Sequence, residues 1–155
     1  MEGKYTKAGT IIGGIGLIIT IVVTIISFVP KTSNDLSGEW LMTSTIEKAD
    51  LKDYIGAEVE WKMYITECDN KIKGSAEKIK INSKDLDYSQ RTSLDFEGVI
   101  EDDNKLVINY IENGKRRKTN GIIKATFSKD NFEGVFSQTA SSANGKIKAE
   151  KIIPN

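Results

Sequence analysis

Residues equipped for covalent chemistry are scarce in this chain of 155 residues, which holds no histidine and one cysteine, Cys68. That composition excludes Ser-His-Asp and Cys-His nucleophilic machinery and any His/Cys metal cluster, and it leaves no intramolecular disulfide. Carboxylates are plentiful, as at Asp85, Asp87, Asp102 and Asp103, but they fall in turn-like stretches where acids serve solvation. A catalytic acid pair needs positioned, partly buried groups, and no spacing here implies one. The expectation is a protein that is not an enzyme, with no cofactor and no metal.

Binding chemistry has better candidates. Lys115-Arg116-Arg117-Lys118 is a basic run at an expected hairpin and contains two of the three arginines. Arginine pairs bidentately with phosphate oxygens, so Arg116, Arg117 and Lys118 at a rim could grip an anionic ligand. The same run could touch lipid headgroups, or simply charge an exposed hairpin end against edge pairing. Arg91, in a polar loop, is a weaker partner for the same role. Trp40, Trp61 and Tyr110 share the phase of the apolar strand positions, so they either stack on a planar ligand ring or fill a closed core. Lys plus Arg equals Asp plus Glu at 22 each, so no global field recommends a DNA or RNA polymer as partner.

The elements that must position these residues read as strands. From Gly38 the apolar period is 2. Trp40 and Met42 share a face, and Glu58–Cys68 is the clearest strand, with Val59, Trp61, Met63 and Ile65 inward. Ile72, Gly74 and Ala76 follow, and the phase slips near Lys78 and Ile79, which predicts a bulge. Between the first two strands, Leu51, Tyr54 and Ile55 have the spacing of a short amphipathic helix. Leu94–Glu101, Lys105–Glu112, Thr119–Ser128, Phe132–Thr139 and Gly145–Ile153 complete the set. Asn113-Gly114 is the strongest short hairpin signal. Phe96-Glu97-Gly98-Val99 recurs as Phe132-Glu133-Gly134-Val135, which suggests two equivalent strand entries after turns. About eight evenly spaced strands with glycines inside them (Gly74, Gly98, Gly121, Gly134) predict an antiparallel up-and-down β-barrel over residues 37–155.

Ahead of that domain, residues 1–7 form a stub, 8–29 an apolar segment and 30–36 a polar linker. Ala8–Val29 holds no charge and no proline, and at about 1.5 Å per residue it matches the bilayer's hydrocarbon core as a single transmembrane α-helix. The segment ends without the small-residue pair of a cleavage site and without a lipidated cysteine, and a core helix would not be apolar on every face. Gly9, Gly13, Gly16, Thr20, Thr24 and Ser27 fall at spacings of 4, 3, 4, 4 and 3 on one stripe. Small residues let helix backbones approach closely, which predicts a homo-oligomer formed through this helix in the lipid bilayer. Positive charges flank both ends, with Lys4 and Lys7 on one side and Lys31 on the other, and leave the orientation open.

The stretches LSGEW (36–40), YITECDNKIKGSAEK (64–78), FEGVIEDDNKLVINY (96–110) and NGKIKAEKI (144–152) resemble lipocalin-like small barrels of bacteria. An apolar anchor running directly into such a barrel resembles the transmembrane β-barrel effectors of CBASS-type anti-phage systems. The resemblance covers the architecture of residues 8–153 and not a diagnostic motif, and this chain carries one span where those effectors usually carry two. It implies a barrel that binds a cyclic nucleotide, a location in the inner membrane with the barrel in the cytoplasm, and assembly that disrupts that membrane. The alternative is an extracytoplasmic, membrane-anchored lipocalin-like binding or interaction domain without disruptive activity.

Overall fold

A computed structural model of the protein describes residues 35–153. The expected helix 8–29, its stripe from Gly9 to Ser27, the stub and most of the linker lie outside the described residues. Among the described residues no helix is long and apolar enough to cross a membrane.

Nine strands form one antiparallel sheet: β1 (Gly38–Lys48), β2 (Glu58–Cys68), β3 (Lys71–Ile81), β4 (Lys84–Asp85), β5 (Ser93–Glu101), β6 (Lys105–Asn113), β7 (Lys118–Phe127), β8 (Asn131–Gln138) and β9 (Asn144–Lys151). Each long strand pairs with the next in the chain, and β9 returns to pair with β1, with Met42 opposite Ala149. Eight strands thus close into an up-and-down barrel, and β4 is a two-residue flap on β3. The strands leave the chain's entry at Leu36 for the far end and return, so the barrel has an entry end and a mouth end.

Closure at this size leaves an interior that side chains can fill, and they do. Trp40, Met63, Leu106 and Ile108 are fully buried, with Phe132, Ile123 and Ile147 nearly so. Small residues make room for large ones around the circumference. In one paired row, Phe96 and Tyr110 sit side by side, flanked by Gly74 and Gly121. A Cβ on Gly121 would collide with the Tyr110 ring, and one on Gly74 with the Phe96 ring and the Tyr64 carbonyl. The glycines therefore provide the space in which the two aromatic rings lie.

Register follows the inner face rather than local turn preference. The bulge expected near Lys78 falls at Ile79: Trp61 pairs with Lys78, and Glu60 with Lys80. The extra residue keeps Lys78 beside Trp61, turns Lys80 outward to Glu60 (3.2 Å), and brings Ile81 opposite Val59. The Asn113-Gly114 turn is not formed. Asn113 still pairs with Lys118, the Gly114 N–H donates to the Arg117 carbonyl (3.1 Å), and the chain reverses across Lys115-Arg116. A turn at Asn113-Gly114 would have set Arg117, not Gly121, opposite Tyr110, and the packed interior forbids that. The tight left-handed turns are made instead by Asp69-Asn70, Asn82-Ser83 and Asp103-Asn104, all at positive φ, which short polar side chains tolerate.

Two further expectations need correction. The stretch between β1 and β2 holds one 3₁₀ turn (Lys52–Tyr54) and no amphipathic helix; Leu51, Tyr54 and Ile55 have no layer to pack on and stay about half exposed. The recurring Phe-Glu-Gly-Val is not a pair of equivalent entries: Phe132 is the second residue of β8, Phe96 the fourth of β5, and the strands run in opposite directions.

Candidate functional site

At the mouth the inward phase reaches polar residues in four strands: Ser44 in β1, with Ile46 beyond it, Lys78 in β3, Glu112 in β6 and Gln138 in β8. These side chains, with Thr119 and Phe136, border an open cavity of about 280 Å³, overhung by Tyr54 and by Arg116 and Arg117 of the β6–β7 turn. Beneath it the lumen is closed, with one void of about 30 Å³ between Trp61, Tyr110, Phe136 and their neighbours. That is space for roughly one or two waters.

The floor of the mouth is a set of satisfied polar contacts. The Trp61 Nε1–H donates to Ser44 Oγ (3.3 Å), and the Tyr110 hydroxyl donates to Gln138 Oε1 (3.1 Å). Burial, and secondarily the Glu112 carboxylate, pushes the Tyr110 phenol well above its ordinary value. Above this floor Lys78 Nζ lies 2.6 Å from Glu112 Oε1, with side chains 17% and 14% exposed. The ammonium also sits 4.8 Å from the centre of the Trp61 ring, a cation–π contact that helps to hold it inside. Thr92 Oγ1 donates to the same Glu112 oxygen (2.9 Å).

The residues singled out from sequence do not converge on one place. Trp40 is at the entry end, where its Nε1–H donates to the Leu36 carbonyl (2.8 Å) and its ring meets Phe132 at 5.2 Å. It is far from the mouth. Trp61 and Tyr110 form the mouth's floor but are buried, and Lys78 covers the Trp61 ring, so neither offers an open face for stacking. Arg116 and Arg117 border the cavity, exposed and without a carboxylate partner among the described residues. Lys118, exposed at the start of β7, is not part of the cavity wall. Arg91 is committed elsewhere, to Glu77 (3.2 Å) and the Leu86 carbonyl (3.2 Å).

Lys78, Glu112 and Tyr54 were missed, although a signal existed for the first two. Counting by twos from Ile72 reaches Lys78, and from Leu106 reaches Glu112, so opposite charges continue the inward phase of two strands. Tyr54 gave no such sign, because its position depends on a loop. The arrangement can present two guanidiniums and a half-exposed phenol ring around a small cavity whose inner wall carries an ammonium and a carboxylate. No protein-family model matches the chain, and no curated protein matches it in sequence.

Proposed function

We propose that this protein is a membrane-anchored sensor and effector whose barrel mouth takes a small anionic ligand of the cyclic-nucleotide class. In this reading the apolar segment 8–29 lies in the inner membrane and assembles through its small-residue stripe, and assembly disrupts the bilayer in anti-phage defence. The ligand must favour the assembled state, since a ligand that binds both states equally shifts nothing. The observation that carries the proposal is the pair Arg116 and Arg117, unmatched by carboxylates among the described residues and bordering a cavity of about 280 Å³. Guanidinium forks suit phosphate oxygens and an open rim admits them without unfolding.

The test is calorimetry on the full chain in lipid nanodiscs, titrated with cyclic AMP, cyclic GMP and cyclic di-GMP. Arg116→Glu with Arg117→Glu should abolish the heat of binding without shifting the melting temperature. Binding that survives the double substitution retires the mouth.

A second reading is favoured by one feature. The outer wall across β3 and β5–β8 is hollowed into a groove of about 1,000 Å³ where the row Gly74, Phe96, Tyr110 and Gly121 points its side chains inward. A groove of that size suits an anchored lipocalin-like domain that docks a partner outside the cytoplasm. A reporter fused after Asn155 distinguishes the two: activity on the cytoplasmic side fits the effector, and activity on the outer side fits the docking domain.

A further inference from the structure

We infer that Glu112 is the group that selects the ring of the mouth's ligand, accepting hydrogen bonds from a guanine-type edge; the inference rests on the mouth being the ligand site. The two carboxylate oxygens of Glu112 are used unequally. Oε1 accepts from Lys78 (2.6 Å) and from Thr92 (2.9 Å), whereas Oε2 accepts from no described residue. Oε2 is not sealed away, since no buried side-chain oxygen is left without a partner, and Glu112 borders the cavity. Glu112 therefore keeps an acceptor with spare lone pairs on a side chain that borders the cavity, anchored through its other oxygen by an ammonium and a hydroxyl.

Other groups around the cavity complete the complement. Tyr54 lines it with half its surface free and can supply an apolar ring face. Arg116 and Arg117 stand at the rim. A matching ligand has N–H donors at its inner edge, a planar ring beneath Tyr54, and an anionic group outside. Guanine carries adjacent imino and amino donors on one edge, a better match for a carboxylate than a ring edge flanked by carbonyl oxygens. Its phosphate then lies toward the arginines. The volume is at the lower edge of ligand pockets, about 300–1,000 Å³, so one nucleotide unit enters and any second unit stays at the rim.

The experiment compares cyclic GMP with cyclic IMP, which lacks the exocyclic amino group, on the unmodified full chain in nanodiscs, with inorganic phosphate as the anion control. A preference for cyclic GMP of about 10- to 100-fold is expected, the worth of a hydrogen bond to a charged acceptor. Glu112→Gln should bring that ratio toward one while leaving phosphate binding undiminished, which a collapsed mouth could not do. Equal affinities for the two nucleotides in the unmodified protein overturn the role of Glu112 and leave the anion-binding mouth standing. Failure of both nucleotides and of phosphate to bind overturns the mouth as well.

Discussion

At the entry end, Leu36 and Trp40 are sealed from solvent, Phe132 meets the indole, and Glu67 takes the Leu36 N–H at 2.7 Å. At the mouth Ser44, Lys78, Glu112, Thr119 and Gln138 stand with Ile46, Val59 and Phe136 around open space. The β6–β7 turn at the mouth adds four consecutive cations, residues 115–118. The comparison teaches that one barrel wall can serve two purposes. One end supplies stability through apolar burial, and the other leaves polar groups paired but bordering open space.

The sharpest way to break this comparison is to truncate one tryptophan at each end. Trp40→Ala should cost about 3–5 kcal/mol, as expected for an aromatic deleted from a packed core. Trp61→Ala should cost less, because the adjacent cavity and the Lys78 stem can relax into the space. Denaturant midpoints of the two variants in detergent check this, and equal losses would mean that the mouth is as much core as the entry end.

The Lys78–Glu112 pair gives the next effect. Lys78→Met should cost about 1–2 kcal/mol, below the roughly 3–5 of a fully buried pair because both groups still touch water. Lys78→Met with Glu112→Leu should recover most of it, since a well-packed apolar pair can replace a buried ion pair at little cost. Thermal melts decide; a double variant no better than the single would mean that the pair itself stabilises the mouth.

The smallest effect concerns Tyr110. Its phenol is neutral in the folded state and has its proton-loss value raised by burial, above the ordinary 10.0. The folded state therefore holds this proton more tightly than the unfolded chain, so its contribution is whole below about pH 10 and declines as pH rises above it. Tyr110→Phe should flatten the alkaline fall in stability relative to the parent, at the cost of the Gln138 hydrogen bond. Parallel alkaline curves for the two proteins would mean that the hydroxyl is not sealed beneath the mouth.

Much of the barrel was legible in the sequence because a half-buried strand writes its inner face in every second residue. Glu58–Cys68 and the inward set Leu94, Phe96, Gly98 illustrate this, and even the slip at Ile79 showed as a break of phase. The β6–β7 turn was not legible, because Asn113-Gly114 states a local preference and the packing of Tyr110 against Gly121 overrules it. Nor was the length of the first loop, where apolar spacing imitates a helix that has nothing to pack on. Of the candidate site, the arginines were singled out by their chemistry. Lys78 and Glu112 were passed over because charges at strand ends are commonly assigned to solvent, and the sequence does not state that β3 and β6 flank β5 with both side chains on the inner face.

That closure has a consequence for how copies of this protein can meet. With β9 bonded to β1, every long strand has a neighbour on both sides, so no backbone ribbon is left to template onto another molecule. Edge-to-edge pairing between folded barrels is shut out by the topology itself. Any crowd of these proteins must be gathered by side-chain surfaces or by the residues that precede Asp35.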